Sequence, residues 1–142
     1  MSNNLNFYID GAWVSPVTPR TLDVVNPATE EVAGTISLGS AEDVDRAVRA
    51  ARRAFASFSQ TSKEERIALM QRIIACYSKR YDRVADLITA EMGSPRTFSR
   101  EVQTQTGISH FKQAISVLKD YTFEGVLGDN IIVREPIGVC GL

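Results

Sequence analysis

The sequence has few of the residues from which enzymes most often build metal centres and nucleophilic sites. Its 142 residues include one histidine and two cysteines, with no G-x-G-x-x-G and no phosphate-loop pattern. These absences exclude, for this stretch, a zinc site of clustered histidines and cysteines and a glycine-rich cradle for nucleotide phosphates. Cys76 and Cys140 lie far apart without C-x-x-C spacing. That spacing argues against a disulfide scaffold and predicts a cytoplasmic protein.

Charge bias and long apolar runs are also missing. Sixteen basic residues against seventeen acidic ones leave a net charge of −1, so neither nucleic acid nor an anionic membrane is an expected partner. No apolar run approaches the roughly 20 residues that span a bilayer, and the opening residues lack the basic-then-apolar pattern of a signal peptide. With 44% hydrophobic residues, the chain is long enough for one core and too short for two ordinary domains.

The dipeptide Asp10-Gly11 lies between two short β-favouring runs. Asp-Gly predicts a β-hairpin, because a type I′ turn needs positive φ at both central positions. This register places Tyr8 opposite Trp13, either as a cross-strand packing pair or as a binding surface.

Two further strands are predicted at 21–26 and 31–38, on either side of a turn that begins at Pro27. Proline forces the residue before it towards an extended conformation, which ends the first of these strands. Together with the hairpin, they predict a small β-layer that lies against the helices that follow.

The first helix is predicted to begin at Ser40, where Ser40 and Asp43 form a pattern like a capping box. Apolar residues recur in it at spacings of three and four, which is typical of a helix with one buried face. Four arginines lie off that stripe and form either a solvated face or an anion site: Arg46, Arg49, Arg52 and Arg53.

Two more helical regions are predicted. The second begins near Ser62 and ends at Gly93 as a left-handed cap, and its pattern fits either one long helix or two helices broken near 78–80. The third runs from about Pro95 to Tyr121.

The final part of the chain reads as a glycine-marked loop at 123–129 followed by strands. Residues 131–133 are β-branched, and 137–142 form a nearly uncharged run that suits a strand covered on both faces of a parallel sheet. Such a strand leaves apolar side chains and backbone groups in need of partners. We therefore expect these residues to be the front part of a larger α/β protein.

Three side chains with reactive groups lack identifiable catalytic partners. His110 lies on the flank of the apolar stripe of its helix, and spacing indicates no nucleophile or carboxylate within its reach, so we expect a surface histidine. Cys76 falls in mid-helix and Cys140 in an apolar strand. Both are expected to be small buried hydrophobes rather than activated thiols.

Five stretches together resemble the aldehyde dehydrogenase superfamily. The segment R-E-P-I-G-V-C-G-L at 134–142 is similar to the one that leads into the cofactor-binding sheet of that family. The other four occur in the family's order: F-Y-I-D-G-A-W-V at 7–14, V-V-N-P-A-T-E-E-V at 24–32, A-E-D-V-D-R-A-V-R-A-A-R-R-A-F at 41–55 and, more loosely, A-E-M-G-S-P at 90–95.

The resemblance implies an α/β fold, the amino-terminal part of an aldehyde dehydrogenase-like fold. It consists of a small β-layer with a hairpin, three or four helices, and then strands leading into a Rossmann-like sheet. Residues 1–127 correspond to the amino-terminal part of the cofactor-binding domain. Residues 128–142 correspond to the start of an oligomerisation arm and the return to the sheet, with the catalytic domain absent from this chain. The family's arms also imply a homo-oligomer, a dimer or a tetramer.

For an intact protein, the resemblance implies NAD- or NADP-dependent oxidation of an aldehyde to a carboxylic acid. A cysteine thiolate attacks the aldehyde carbon, and N–H groups stabilise the thiohemiacetal oxyanion. Hydride then passes to the nicotinamide, and water activated by a glutamate releases the acid. In the family both the nucleophile and this glutamate belong to a later part of the chain, so no catalytic or cofactor-binding residue is expected here.

The resemblance also implies one ion site. Many relatives hold a structural sodium or potassium ion through main-chain oxygens at the positions of Val24 and Val25 and through a carboxylate at the position of Glu91. Hard cations favour such oxygen ligands. The alternative is that Glu91 is a solvated residue near a helix end, where a negative charge is slightly unfavourable. Many relatives also have lysine where this chain has Ser94.

Two functions from different classes remain open. The chain is either the amino-terminal part of an NAD(P)-dependent aldehyde dehydrogenase, or a non-catalytic helical oligomerisation or interaction module derived from that fold.

Overall fold

The computed structural model describes residues 3–141 and has an α/β fold, as predicted. Its strands pair as three antiparallel hairpins, and four longer helices make up its centre. No helix in the described part is long and apolar enough to cross a membrane. The elements in chain order are β1 Phe7–Ile9, β2 Ala12–Val14, β3 Thr21–Val25, β4 Val32–Ser37, α1 Ala41–Phe58, α2 Lys63–Ser78, α3 Tyr81–Met92, α4 Arg96–Phe98, a π-helix Ser99–Gln103, α5 Thr104–Asp120, β5 Glu124–Leu127 and β6 Asn130–Val133.

The predicted hairpin at Asp10-Gly11 is confirmed. Asp10 has φ of 55° and Gly11 has φ of 77°, the positive values that a type I′ turn requires at both positions. Tyr8 pairs with Trp13 in the register, and their rings meet edge to face with centroids 5.2 Å apart. Their mutual contact is the cross-strand packing that stabilises a two-stranded ribbon.

The predicted small β-layer consists of two separate two-stranded sheets, β1–β2 and β3–β4. The connection between them at 15–20 contains Pro16 and Pro19, which lack the backbone donor that a ladder needs. The Val17 N–H instead donates to the Asp43 carboxylate at 3.0 Å. This hydrogen bond attaches the connecting segment 15–20 to the first turn of α1.

Helix ends follow the local rules closely. Ser40 and Asp43 form a reciprocal capping box at α1, and Ser62 and Glu65 form a second one at α2. The second helical region is two helices, since the non-helical Arg80 separates α2 from α3, which settles the alternative that the sequence left open.

The arginines of α1 form a largely solvated face. Arg49, Arg52 and Arg53 are exposed, and Arg53 pairs with Asp10 of the first hairpin at 2.8 Å. An exposed pair of this kind contributes about 0–1 kcal/mol. It therefore orients the hairpin on the helix more than it stabilises the fold.

The core lies where α2, α3 and α5 pack together. Its buried apolar side chains include Ala85, Ile108 and Ile115. Gly107 of α5 leaves room for the Tyr77 side chain of α2, because a Cβ at position 107 would lie 2.9 Å from the Tyr77 hydroxyl oxygen. A larger residue at this position would displace the Tyr77 ring.

Two predictions for the last part of the chain are wrong. Residues 124–127 of the expected loop form β5, which pairs with β6 across Gly128 and Asp129, because these two residues make a two-residue hairpin turn. The expected strand at 137–142 is not a strand over residues 137–141, and Leu142 lies outside the described residues. No neighbouring strand pairs with this segment, and Ile137 is 94% exposed.

Candidate functional site

The structure brings together the two chain segments that carry the predicted cation ligands. Gly93, just after α3, has φ of 67° and packs on the turn that follows β3. A Cβ on Gly93 would lie 2.8 Å from Pro27 Cγ and 3.3 Å from the Ala28 nitrogen. Glu91 precedes Gly93 by two residues, and Val25 precedes Pro27 by two residues. The helix end and the strand end are therefore neighbours.

The donors at this junction are of the type that an alkali-metal ion prefers. The β3–β4 ladder is irregular at this point, because Val24 opposes Gly34 and Val25 opposes Val32, so the extra residue of the bulge is Ala33 of β4. Two main-chain oxygens and the single carboxylate of Glu91 fit a hard monovalent cation better than a transition metal. No group of three or more histidine, cysteine, aspartate or glutamate side chains that could hold a metal ion occurs within residues 3–141. The assignment of Val24, Val25 and Glu91 stays a prediction.

Both cysteines are free and exposed, so the expectation that they are buried is wrong. Cys76 lies about 200° around α2 from the half-buried Ile74 and about 100° from the half-buried Tyr77. Cys140 lies in the unpaired segment after β6, where no sheet covers it. His110 is exposed on α5, as predicted.

A chain of buried hydroxyl groups, which the sequence analysis missed, joins three helices at the π-helix. The Thr89 hydroxyl donates to the Ser99 hydroxyl at 2.8 Å, and the Thr104 hydroxyl donates to the Ser99 carbonyl at 2.8 Å. The Tyr77 hydroxyl donates to the Thr104 carbonyl at 3.1 Å, and burial, followed by the nearby Tyr81, raises the pKa of Tyr77. Ser99 and Thr104 are 0% exposed. The network therefore fixes the register of α5 against α2 and α3.

Unlike the hydroxyl groups of this network, the buried Ser94 hydroxyl makes no hydrogen bond. The Ser94 carbonyl accepts from the Ser99 hydroxyl at 3.5 Å. A lysine at this position, as the family resemblance leads one to expect, would need a route out of the site for its charge. The serine instead leaves a small polar group beside the Gly93 turn.

A cleft of about 670 Å³ lies between the end of α1, the start of α2 and the segment around Arg134. Two of its cations bind helix carboxyl ends: Lys63 Nζ donates to the Lys119 carbonyl at 2.9 Å, and Arg66 Nη2 donates to the Ser59 carbonyl at 3.0 Å. Positive charge at the negative end of a helix dipole is stabilising. These side chains therefore join α1, α2 and α5.

An open apolar groove of about 810 Å³ runs along α2 and α5. Its floor is the i, i+3, i+4 stripe of α5, and Val117 in it is 54% exposed. At its end Tyr121 and Phe123 meet edge to face, with ring centroids 4.9 Å apart. We call this surface the α2–α5 groove, and its lining residues are Met70, His110, Gln113, Ala114, Val117, Leu118, Tyr121 and Phe123.

The β5–β6 hairpin is apolar and exposed on both faces. Val126 and Ile131 oppose each other in the register and are 79% and 74% exposed. Leu127 and Val133 are also exposed. A contiguous apolar surface of this kind marks an interaction site. The run 131–133 indicated it in the sequence, but the paired strand β5 did not stand out.

The comparisons with known proteins agree with one another. The model of the aldehyde dehydrogenase family matches residues 13–142. A 3-succinoylsemialdehyde-pyridine dehydrogenase from a Pseudomonas species is 48% identical over 143 residues, which cover 100% of this chain and 30% of that protein.

Solved structures match in the same way. Aldehyde dehydrogenase C from Pseudomonas syringae, a variant in complex with NAD⁺ and octanal, superposes with a TM-score of 0.91 at 44% sequence identity. The matched region covers 95% of this chain and 28% of the chain in that structure. An aldehyde dehydrogenase from Bartonella henselae has a TM-score of 0.86 at 40% identity and covers 92% of this chain and 28% of its own.

The chain thus spans about 30% of the length of the first curated relative that it matches, and its fold is that of the amino-terminal part of aldehyde dehydrogenase structures. The family match and the structural match extend over nearly all of the chain. The chain belongs to the aldehyde dehydrogenase family.

Proposed function

We propose that this chain is the amino-terminal scaffold of an NAD(P)-dependent aldehyde dehydrogenase, which oxidises an aldehyde to a carboxylic acid through a cysteine thiohemiacetal. The observation that carries the proposal is the fold, which matches a relative crystallised with NAD⁺ and octanal at a TM-score of 0.91. Residues 1–127 belong to the cofactor-binding domain, and 128–142 begin the assembly arm and return to its sheet.

The residues of this chain have a structural role in the proposed enzyme and no catalytic role. Neither exposed cysteine has a histidine beside it in the sequence, and the one histidine lies in the α2–α5 groove. No glycine-rich phosphate cradle occurs in the sequence, which supports a role for this part of the protein outside the dinucleotide site. In the proposed enzyme the thiol nucleophile and the cofactor contacts come from the remainder of the intact protein.

Steady-state assays of the intact protein test this proposal. NADH or NADPH formation is followed with octanal and with a pyridine-linked semialdehyde as substrates. We expect turnover with at least one aldehyde and retention of it in Cys76→Ser and Cys140→Ser. Loss of turnover in either variant, with the fold intact, would contradict the scaffold role. The absence of any aldehyde oxidation would favour the alternative, a non-catalytic helical module.

We also propose that the β5–β6 hairpin is an arm through which the protein forms a dimer or a tetramer. The exposed Val126, Ile131 and Val133 lie on one face of the hairpin, because paired residues and residues two apart share a face. A lysine at position 131 places a charge in any interface that covers this face. Ile131→Lys is therefore expected to shift the intact protein to smaller species in analytical ultracentrifugation, and an unchanged profile would contradict the arm.

A sodium or potassium ion at Val24, Val25 and Glu91 completes the proposal. Because an ion that binds only the folded state raises the unfolding temperature, Tm of the intact protein should be higher in potassium or sodium chloride than in choline chloride at equal ionic strength. Glu91→Gln should abolish that difference and Glu101→Gln, a change at another exposed glutamate, should not. Equal Tm values in all three salts would contradict the site.

We propose a cytoplasmic location for the protein, supported by the two free thiols. Cell fractionation with antibody detection tests it, and recovery with the periplasmic or secreted fraction would contradict it.

A further inference from the structure

Three cations that line the cleft between the end of α1 and the start of α2 have no carboxylate partner. Lys63, Arg66 and Arg134 share this space of about 670 Å³ with one acidic residue, Glu135, and we call it the α1–α2 cleft. The ion pairs within residues 3–141 each join an arginine to an aspartate elsewhere, so no carboxylate in that range lies within 4.0 Å of these three cations. The lining of the cleft therefore carries a net positive charge.

Carbonyl oxygens hold these cations in place without neutralising them. Lys63 Nζ and Arg66 Nη2 donate to carbonyls at the ends of α5 and α1, and Arg134 Nη1 donates to the Thr122 carbonyl at 3.3 Å. An ammonium group has three N–H donors and a guanidinium group has five, so each side chain keeps N–H groups for a further acceptor. A site whose donors are already positioned loses less freedom when a ligand binds.

Burial distinguishes this cluster from the solvated arginines of α1. Lys63 and Arg66 are half-buried, whereas Arg49, Arg52 and Arg53 are exposed. Repulsion between like charges is screened less in a partly buried cleft than at an exposed surface. A ligand with a full negative charge removes that repulsion and gains charge-assisted hydrogen bonds.

The donors in the cleft favour an oxyanion. The planar fork of a guanidinium group matches the oxygens of a carboxylate or a phosphate group, and the lysine ammonium adds a compact positive charge. Arg134 Cζ lies over the Tyr121 ring, 5.9 Å from its centroid, a cation–π contact that orients this guanidinium group. The volume of the cleft lies within the range of about 300–1,000 Å³ that is typical of small-molecule sites.

We propose that the α1–α2 cleft binds an oxyanion, a carboxylate or a phosphate group, through Lys63, Arg66 and Arg134. The oxyanion belongs either to a free small molecule or to an acidic side chain in the remainder of the intact protein, and both sources present the same chemistry to the cleft. The inference does not depend on the proposed dehydrogenase activity, and its test involves no turnover.

Isothermal titration calorimetry of the intact protein with inorganic phosphate tests for a free oxyanion. The sodium concentration is held constant so that the proposed cation site stays in one state. Arg134→Gln removes one positive charge and should weaken phosphate binding at least about 10-fold. Arg83→Gln, at an exposed arginine of α3 outside the cleft, should leave the binding unchanged. Glu135→Gln removes the negative charge of the cleft and should tighten it.

Thermal unfolding of the same variants tests for a carboxylate from the remainder of the protein. In that case phosphate does not bind, and Tm falls in Arg134→Gln but not in Arg83→Gln or Glu135→Gln. Arg134→Lys keeps the charge and should restore most of the lost Tm, whereas a purely structural role of the guanidinium group predicts no such rescue.

Four results would overturn the inference. One is phosphate binding that Arg134→Gln does not weaken. Another is the absence of phosphate binding together with equal Tm values in Arg134→Gln and Arg83→Gln. Without phosphate binding, an equal loss of Tm in Arg134→Lys and Arg134→Gln would show that the shape of the guanidinium group matters and not its charge. A loss of Tm in Glu135→Gln as large as that in Arg134→Gln would show that Glu135 is already the partner of the cations.

Discussion

Gly93 is the residue whose replacement tests the link between the first strands and the end of α3. Its φ of 67° costs an alanine roughly 1–2 kcal/mol relative to a right-handed conformation. Its Cβ would also lie 2.8 Å from Pro27 Cγ and 3.3 Å from the Ala28 nitrogen. The proline ring can pucker slightly, but the Ala28 nitrogen is backbone, and insertion into a packed contact costs about 1–3 kcal/mol. We expect Gly93→Ala to lower the free energy of unfolding by about 2–5 kcal/mol.

A second glycine separates the two contributions. Gly11 has φ of 77°, and a Cβ there would meet nothing within 4 Å, so Gly11→Ala measures backbone strain alone. Equilibrium urea unfolding of the intact protein, followed by far-ultraviolet circular dichroism, gives both values. The Gly93 variant should lose at least 1 kcal/mol more than the Gly11 variant, since only it adds a steric clash of about 1–3 kcal/mol.

Two results would refute this reasoning. Equal losses in the two variants would show that the turn after β3 does not press on Gly93. A Gly93→Asn variant as stable as the unchanged protein would show the same, because asparagine tolerates positive φ but keeps the Cβ. The contact also bears on the proposed ion site, since separating the turn from α3 moves Glu91 away from Val24 and Val25. The effect of potassium on Tm should therefore shrink in Gly93→Ala.

Three further changes probe the helices. Tyr77→Phe removes the hydroxyl that donates to the Thr104 carbonyl and should cost about 0.5–1.5 kcal/mol by urea unfolding, and no loss would mean that this bond does not hold α2 to α5. Ser62→Ala removes half of the capping box of α2 and should cost about 0.5–2 kcal/mol, with Ser62→Gly costing less. Hydrogen bonds from the Ser40 backbone, then from its hydroxyl and the Val17 N–H, outweigh desolvation and lower the pKa of Asp43 below its ordinary 3.8. The stability that the charged Asp43 contributes is therefore present above pH 3.8 and lost as pH falls through the lower folded-state pKa, so Asp43→Asn should be destabilising at neutral pH but not in strong acid. A deficit that persists unchanged in strong acid would contradict it.

Local sequence rules predicted the elements whose causes lie within a few residues. The turn at Asp10-Gly11, the capping box at Ser40 and the left-handed cap at Gly93 each depend on one or two side chains and their own backbone. Such features form in the same way whatever surrounds them. This independence explains why the starts of α1 and α2 agree with the predictions.

Features that depend on distant partners could not be predicted in the same way. Residues 137–141 have the composition of a strand, but a strand exists only where another strand pairs with it. Cys76 has apolar neighbours along the chain, yet its exposure depends on which side of α2 faces α3 and α5. The π-helix at Ser99–Gln103 rests on hydroxyl contacts between helices, and no spacing rule along one helix reveals them.

The distribution of exposed apolar side chains indicates where this part of the protein acts. Val44 and Phe58 are exposed on α1, Val117 on α5, and Val126 and Ile131 on the hairpin, while few apolar residues reach full burial. Surfaces of this composition reach their stable state only against another protein surface. Because the proposed enzyme takes its nucleophile and cofactor contacts from the remainder of the protein, changes at these residues should act through assembly and unfolding. They should lower activity at low protein concentration, where the subunits of the proposed oligomer separate, and leave kcat unchanged at high concentration. A substitution that acts on the chemistry instead lowers kcat at every concentration.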